Sequence, residues 1–101
     1  MVAPDTPNGT GGTLALPAEV THAQAGPLRE DLGRQARAGA GDLVVDASGL
    51  HRFDSSVLAL LLAIRRDGQA VGRRFAVRAL PERLRSLAVV YGVADLLPAA
   101  L

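Results

Sequence analysis

The sequence contains no cysteine, no tryptophan and no lysine, and its only aromatic residues are Phe53, Phe75 and Tyr91. Without cysteine the chain cannot form disulfides, thiolate metal sites or a cysteine nucleophile. With so few aromatic side chains it offers little surface on which nucleic-acid bases could stack. The formal net charge is only +1, so no overall basic field favours nucleic acid as a partner.

Long apolar runs are also missing. The longest, from Val57 to Ile64, has eight residues, whereas a membrane-spanning helix needs about 20. Residues 1–12 are rich in Pro, Gly, Thr and Asn and lack the basic start and apolar stretch of a secretory signal. We therefore expect a cytoplasmic protein with no direct membrane span, built as a flexible leader over residues 1–12 and one domain over residues 13–101.

Apolar segments and helix-breaking residues alternate in the order of an α/β protein. We predict strands at residues 13–16, 19–21, 43–45 and 74–80, the second pairing with the first. We predict amphipathic helices at residues 27–38, 55–67 and 81–91. In the last strand Phe75, Val77 and Ala79 share one side, which indicates an edge or a solvated face. The fold class that follows is a single α/β domain, a mixed β-sheet with helices packed on it.

The helix after Asp54 has a clear buried stripe. Asp54 is a good helix cap, because its carboxylate can accept hydrogen bonds from the free N–H groups of the first turn. At about 100° per residue, Val57, Leu60, Leu61 and Ile64 fall on one face. That face alone would dock the helix on the sheet.

The same helix carries a second apolar strip. Leu58 and Leu62 lie outside the docking face, beside Ser55, Ala59 and Arg66. Either a neighbouring helix of the same domain covers this strip, or the strip forms part of a partner-binding surface with Ser55 at its head. Periodicity does not choose between the two interpretations.

Two tandem arginine pairs flank the turn near residue 70. They are Arg65–Arg66 and Arg73–Arg74. A solvated basic loop is the simplest interpretation, and contact with an acidic partner or with membrane headgroups is the alternative.

Catalysis has little support. A Ser–His–Asp hydrolase would need His22 or His51 to reach Ser55 or Ser56, and no G-x-S-x-G motif is present. The chain also lacks metal-ligand spacing and a phosphate-binding loop. We predict that the protein is not an enzyme and binds neither a cofactor nor a metal, with a small hydrolase as a distant alternative.

Two segments carry a family resemblance. Residues 43–61, LVVDASGLHRFDSSVLALL, resemble STAS domains, in which a strand ending in Asp is followed by a loop and by Asp-Ser-Ser/Ala-Gly at a helix start. Residues 80–98, LPERLRSLAVVYGVADLLP, resemble the MlaB subgroup, the small cytoplasmic STAS subunit of the Mla phospholipid-transport ABC system of Gram-negative bacteria. The resemblance is good from residue 43 to 98 and thin before residue 27.

The resemblance implies a non-enzymatic binding module. MlaB-like proteins attach to the ATPase subunit (MlaF-like) of a transporter that maintains outer-membrane lipid asymmetry, which would hold this chain at the inner membrane through its partner. The hydroxyl after the Asp is the functional one in that subgroup, and it maps to Ser55. In the resemblance the Tyr-Gly end lies near the start of the Asp54 helix, which would place Tyr91 at the border of the interface. Separately, Tyr91 closes the apolar stripe of its helix, and this predicts a ring in the core with the hydroxyl at the surface. The expected partner-binding residues are Ser55, Leu58, Ala59, Leu62, Arg66 and Tyr91.

Anti-sigma-factor antagonists provide the alternative function. In that group a regulatory kinase phosphorylates the Ser one position further on, which maps to Ser56. The phosphoswitch pattern has Gly after the second Ser, whereas this chain has Val57. A phosphate would add about two negative charges at a helix N-terminus, where the helix dipole tolerates them. Simple helix capping is a third interpretation of both serines.

Overall fold

Strands and helices alternate along residues 13–100, the part of the chain that this computed structural model describes. The strands are β1 (Thr13–Ala15), β2 (Glu19–Val20), β3 (Leu43–Asp46), β4 (Arg52–Phe53) and β5 (Phe75–Arg78). The helices are α1 (His22–Ala38), α2 (Ser56–Ala70) and α3 (Glu82–Val90), followed by a short 3-10 helix, Ala94–Leu96. The leader predicted for residues 1–12 lies outside the described residues.

The strands form two small parallel sheets. One has the order β1-β3-β5, and the other pairs β2 with β4, with Val20 opposite Phe53. The prediction of an α/β domain is confirmed. Two details of the prediction are wrong: every pairing between strands of the described chain is parallel rather than mixed, and β2 pairs with β4 rather than with β1. The physical reason is that α1 and α2 each bring the chain back to the end of the sheet at which the strands begin. Strands β1, β3 and β5 therefore run parallel to one another.

Strand β5 lies at an edge of its sheet, as the alternation predicted. The chain after α3 partly covers this edge: the Val77 N–H donates to the Pro98 carbonyl and the Ala100 N–H to the Val77 carbonyl, each at 2.8 Å. The strand ends earlier than predicted, because Ala79 adopts a positive φ of 58°. That turn leaves Ala79 exposed and directs Leu80 into the core.

The helices cover one face of the three-stranded sheet. Leu43 and Val45 of β3 and Val77 of β5 are almost fully buried, in one cluster with residues of all three helices. The alternate strand residues Val44 and Ala76 are only half-buried. The core therefore lies between the sheet and a single layer of helices, and α2 contributes the largest share, as its apolar stripe predicted.

Helix α1 begins five residues before the predicted start at Pro27. Thr21 caps it, and the Thr21 N–H donates to the Gln24 side chain at 2.8 Å. Pro27 lies inside the helix. Its fixed φ suits a helix, and its missing N–H leaves only the carbonyl of exposed Ala23 without a helical bond. The proline therefore did not mark the helix start.

Helix α2 continues past Gly68, which was predicted to end it, as far as Ala70. Gly68 is buried, and a Cβ atom there would lie 2.5 Å from Cδ2 of Leu43. The glycine thus permits close packing of α2 on β3 instead of ending the helix.

Arg73 is buried, with 4% of its surface exposed. Its Nη1 donates to the carbonyl of Ala36 at 2.8 Å and its Nε to that of Gly41 at 2.9 Å. Its Nη2 reaches the carbonyls of Ala40 and Asp42 at 3.4 and 3.3 Å. The solvated basic loop expected from the sequence is therefore wrong for Arg73, which joins the end of α1 and the loop after it to the segment before β5.

Candidate partner-binding surface

Asp54 connects the first turns of two helices. One carboxylate oxygen accepts the Ser56 N–H at 2.9 Å and also the Ser56 hydroxyl, at the start of α2. The other accepts the His22 N–H at 3.0 Å, at the start of α1. These hydrogen bonds lower the pKa of Asp54 below its ordinary value, and the bond from the Ser56 hydroxyl has the largest effect. Asp54 therefore serves both helices, which begin side by side.

The two adjacent serines differ in availability. Ser56 is half-buried and its hydroxyl donates to Asp54. Ser55 is exposed, occupies the N-cap position of α2, and makes no side-chain hydrogen bond within residues 13–100. Of the two hydroxyls, that of Ser55 is the one open to an incoming group.

Helices α1 and α2 lie in close contact beyond their first turns. Gly33 of α1 packs against the carboxylate of Asp67, and a Cβ atom at that position would collide with it. Arg37 pairs with the same carboxylate at 3.1 Å. This contact fixes how the two helices face each other.

Leu58 does not contribute to a binding surface. It is 3% exposed and belongs to the core of this domain. The prediction that it contacts a partner is wrong, and the alternative, that the domain itself covers it, is correct at this position. Leu62 is half-buried, while Ala59 and Arg66 are exposed.

A groove of about 300 Å³ runs between α1 and α2. Its lining residues are Arg29, Ala59, Leu62, Ala63 and Arg66. Three are apolar residues of α2, and the two arginines come from different helices. Ser55, Ala59, Leu62 and Arg66 recur at intervals of three or four residues, so they follow one face of α2. Sequence reasoning missed Arg29, because only the packing of α1 beside α2 brings it to this groove.

Tyr91 is exposed rather than packed in the core, with 57% of its surface accessible. The Arg83 guanidinium is 5.1 Å from the centre of the Phe53 ring, so the first turn of α3 is the end near the start of α2. Tyr91 follows eight residues later, at the C-cap, which is about 12 Å further along the helix. The expectation that the Tyr91 ring lies in the core is wrong. Tyr91 does not line the groove, and its place at the border of the interface stays a prediction.

Asp46 is the other acidic residue with a shifted pKa. The Ser48 N–H donates to its carboxylate at 2.9 Å, and this bond, with further help from the Ser48 hydroxyl and Arg78, lowers the pKa of Asp46. The contact closes the turn after β3. It agrees with a structural role for this carboxylate.

Three features typical of other functional classes are absent from the described part of the chain. Within residues 13–100 no histidine side chain hydrogen-bonds to Ser55 or Ser56, and no group of three or more His, Cys, Asp or Glu residues is placed to hold a metal ion. None of the helices in that range combines the length and hydropathy needed to cross a bilayer. What the arrangement offers is an exposed hydroxyl, an apolar groove and two arginines.

Comparisons with known proteins agree with the fold. A family model described as "Mlab, STAS domain" matches residues 6–98. Among solved structures, an anti-sigma-factor antagonist (STAS) domain protein from Planctomyces limnophilus superimposes with a TM-score of 0.71 and 16% sequence identity, over 86% of this chain and 79% of that chain. At that identity the likeness shows the fold alone. No curated protein sequence matches significantly.

Proposed function

Since the chain belongs to the STAS-domain family, in its MlaB-like group, we propose that it is a non-catalytic subunit that binds an ABC-transporter ATPase. The partner would be the MlaF-like ATPase of an Mla-type system, which transports phospholipid and maintains outer-membrane lipid asymmetry. Through that partner the chain would lie at the cytoplasmic face of the inner membrane.

The observation that carries this proposal is the exposed, unbonded Ser55 hydroxyl, which lies one turn before the groove residue Ala59 on the same face of α2. A partner helix that covers Ala59 and Leu62 would remove apolar surface from water, at about 25 cal/mol per Å². The Ser55 hydroxyl would then face a partner group that needs a hydrogen bond. An unpaired group in such an interface costs about 1–3 kcal/mol.

The anti-sigma-factor antagonist is the alternative function, with phosphorylation at Ser56. The position fits in one respect, because a phosphate at the N-terminus of α2 would be stabilised by the helix dipole. Two features of this position weigh against its phosphorylation. The Ser56 hydroxyl is engaged by Asp54, and a phosphate there would lie beside the Asp54 carboxylate, which repels it.

The test is binding to the purified ATPase by Ser55→Arg, compared with wild type and with Ser86→Arg. Ser86 is an exposed serine on α3 and receives the same substitution. We expect wild type and Ser86→Arg to bind and Ser55→Arg not to bind, because a long charged side chain would occupy the contact. Since both sites are exposed, the free energy of unfolding of each variant should lie within about 0.5 kcal/mol of the wild-type value.

Two results would contradict the proposal. Wild-type affinity of Ser55→Arg would show that the surface is wrong. Failure of wild type to bind the ATPase, together with kinase-dependent phosphorylation at Ser56, would establish the antagonist function.

A further inference from the structure

The groove between α1 and α2 is positively charged on both sides and has no acidic lining residue. Neither Arg29 nor Arg66 makes an ion pair or a side-chain hydrogen bond within the described residues. Two acids of the same helices are paired with other arginines: Asp31 with Arg34 at 3.6 Å, and Asp67 with Arg37 at 3.1 Å. Two unpaired guanidinium groups thus flank an apolar floor.

We propose that this groove binds an acidic side chain of the partner, held between Arg29 and Arg66, on a helix whose apolar residues cover Ala59 and Leu62. The inference rests on the proposed function and adds to it the chemistry of the partner surface. It also assigns Arg29, on α1, to the interface.

Charge and shape both favour such an occupant. A planar guanidinium binds a carboxylate through two parallel hydrogen bonds, so Arg suits acidic partners in particular. The apolar floor suits the mode in which an amphipathic helix lays its apolar face into a groove. A single acidic residue among apolar ones on a partner helix meets both requirements.

A membrane surface fits the same groove less well. Peripheral membrane binding favours protruding apolar side chains beside cations. Here Leu62 and Ala63 are half-buried, and the exposed apolar residue, Ala59, carries only a methyl group, while Arg29 and Arg66 are exposed. A flat layer of headgroups could meet the arginines without filling the floor.

The experiment measures affinity of the full chain for the purified ATPase over a range of salt concentrations. The variants are Arg29→Glu, Arg66→Glu and the double reversal. The control is Arg74→Glu, which makes the same change of charge at a side chain that is 91% exposed and outside the groove. We expect Arg74→Glu to bind like wild type, each single reversal to weaken binding, and the double reversal to weaken it by at least about tenfold. The salt dependence of the double variant should also be smaller than that of wild type.

A second arm separates the sources of negative charge. Wild type and the double variant are mixed with vesicles that contain phosphatidylglycerol, without the ATPase. Capture of wild type but not of the double variant, with ATPase affinity unchanged by the reversals, would show that the arginines bind headgroups and would overturn the inference.

The remaining outcomes distinguish this inference from the proposed function. If Ser55→Arg abolishes ATPase binding while the double reversal binds like wild type, the acidic contact is wrong and the docking function stands. If wild type itself does not bind the ATPase, both fail. Circular dichroism of every variant checks that the fold is retained.

Discussion

Arg73 offers the sharpest test of what holds this domain together. Its guanidinium is buried and bonds to backbone carbonyls of α1 and of the loop that leads to β3. Replacement by Met keeps most of the apolar stem but removes every donor. The carbonyl of Ala36, whose bond to Arg73 is buried, would then lose its partner from this side chain.

The magnitude follows from the bonds that are lost. A hydrogen bond to a charged group contributes about 1.5–3 kcal/mol, and a buried group left unsatisfied costs about 1–3 kcal/mol. Only two of the four contacts are short, at 2.8 and 2.9 Å. Relief from burying the charge offsets part of the loss. We therefore expect Arg73→Met to lower the free energy of unfolding by about 2–4 kcal/mol. Arg73→Lys should lower it by less, because a lysine retains some of the hydrogen-bond donors although it cannot reach as many carbonyls.

Urea denaturation measures this directly, with Arg74→Met as the matched control. Arg74 is the next residue, its side chain is 91% exposed, and its ion pair with Asp42 is long, at 4.0 Å. We expect the control to stay within about 0.5 kcal/mol of wild type, since exposed pairs contribute little. If Arg73→Met also stayed within that range, the carbonyls would have to be satisfied without the guanidinium, and the stabilising role given to Arg73 would be refuted.

Two further predictions concern the helices. Leu61→Ala should lower the free energy of unfolding by about 2–5 kcal/mol, because Leu61 is fully buried. Leu62→Ala should lower it less, because Leu62 is half-buried. Equal losses for the two variants in urea titrations would contradict the orientation of α2. The lowered pKa of Asp54 means that its carboxylate stabilises the fold above the unfolded pKa of about 3.9, and that this contribution is lost as pH falls through the lower folded pKa. Stability measured from pH 6 to 2 should therefore fall less in Asp54→Asn than in wild type, and parallel curves would contradict the capping role.

Local patterns predicted the elements of the fold better than their boundaries. The apolar stripe of α2 gave its buried face correctly, because burial repeats with the helical period. Gly68 was misinterpreted, because a glycine that ends a helix and one that admits a neighbouring side chain look the same in sequence. The pairing of β2 with β4 was missed for a related reason: strands of two residues carry no periodicity, and only the crossover through α1 and β3 brings them together.

The residues of the candidate surface could be predicted where they share one helix, but not where tertiary contacts decide their environment. Ser55, Ala59 and Arg66 follow one face of a single helix, so spacing alone placed them together. Leu58 was assigned to the wrong environment, since a helical projection cannot tell which neighbour covers a second apolar strip. Arg29 and Arg73 show the opposite limit. Neither residue is distinguished by its local sequence, yet one faces a groove and the other is buried, as their tertiary neighbours decide.

The groove depends on how two helices are held relative to each other, and two contacts set that relation. Asp54 accepts hydrogen bonds from the first N–H groups of both helices, and Gly33 allows α1 to lie against Asp67 of α2. Along α1, Arg29 lies between the two contacts, and along α2, Arg66 does too. The two contacts therefore set the distance between the backbones of the two arginines. The Asp-Ser-Ser sequence therefore does more than present a hydroxyl. By joining α1 to α2 at their starts, its aspartate also holds in register the two helices from which the rest of the proposed docking surface is built.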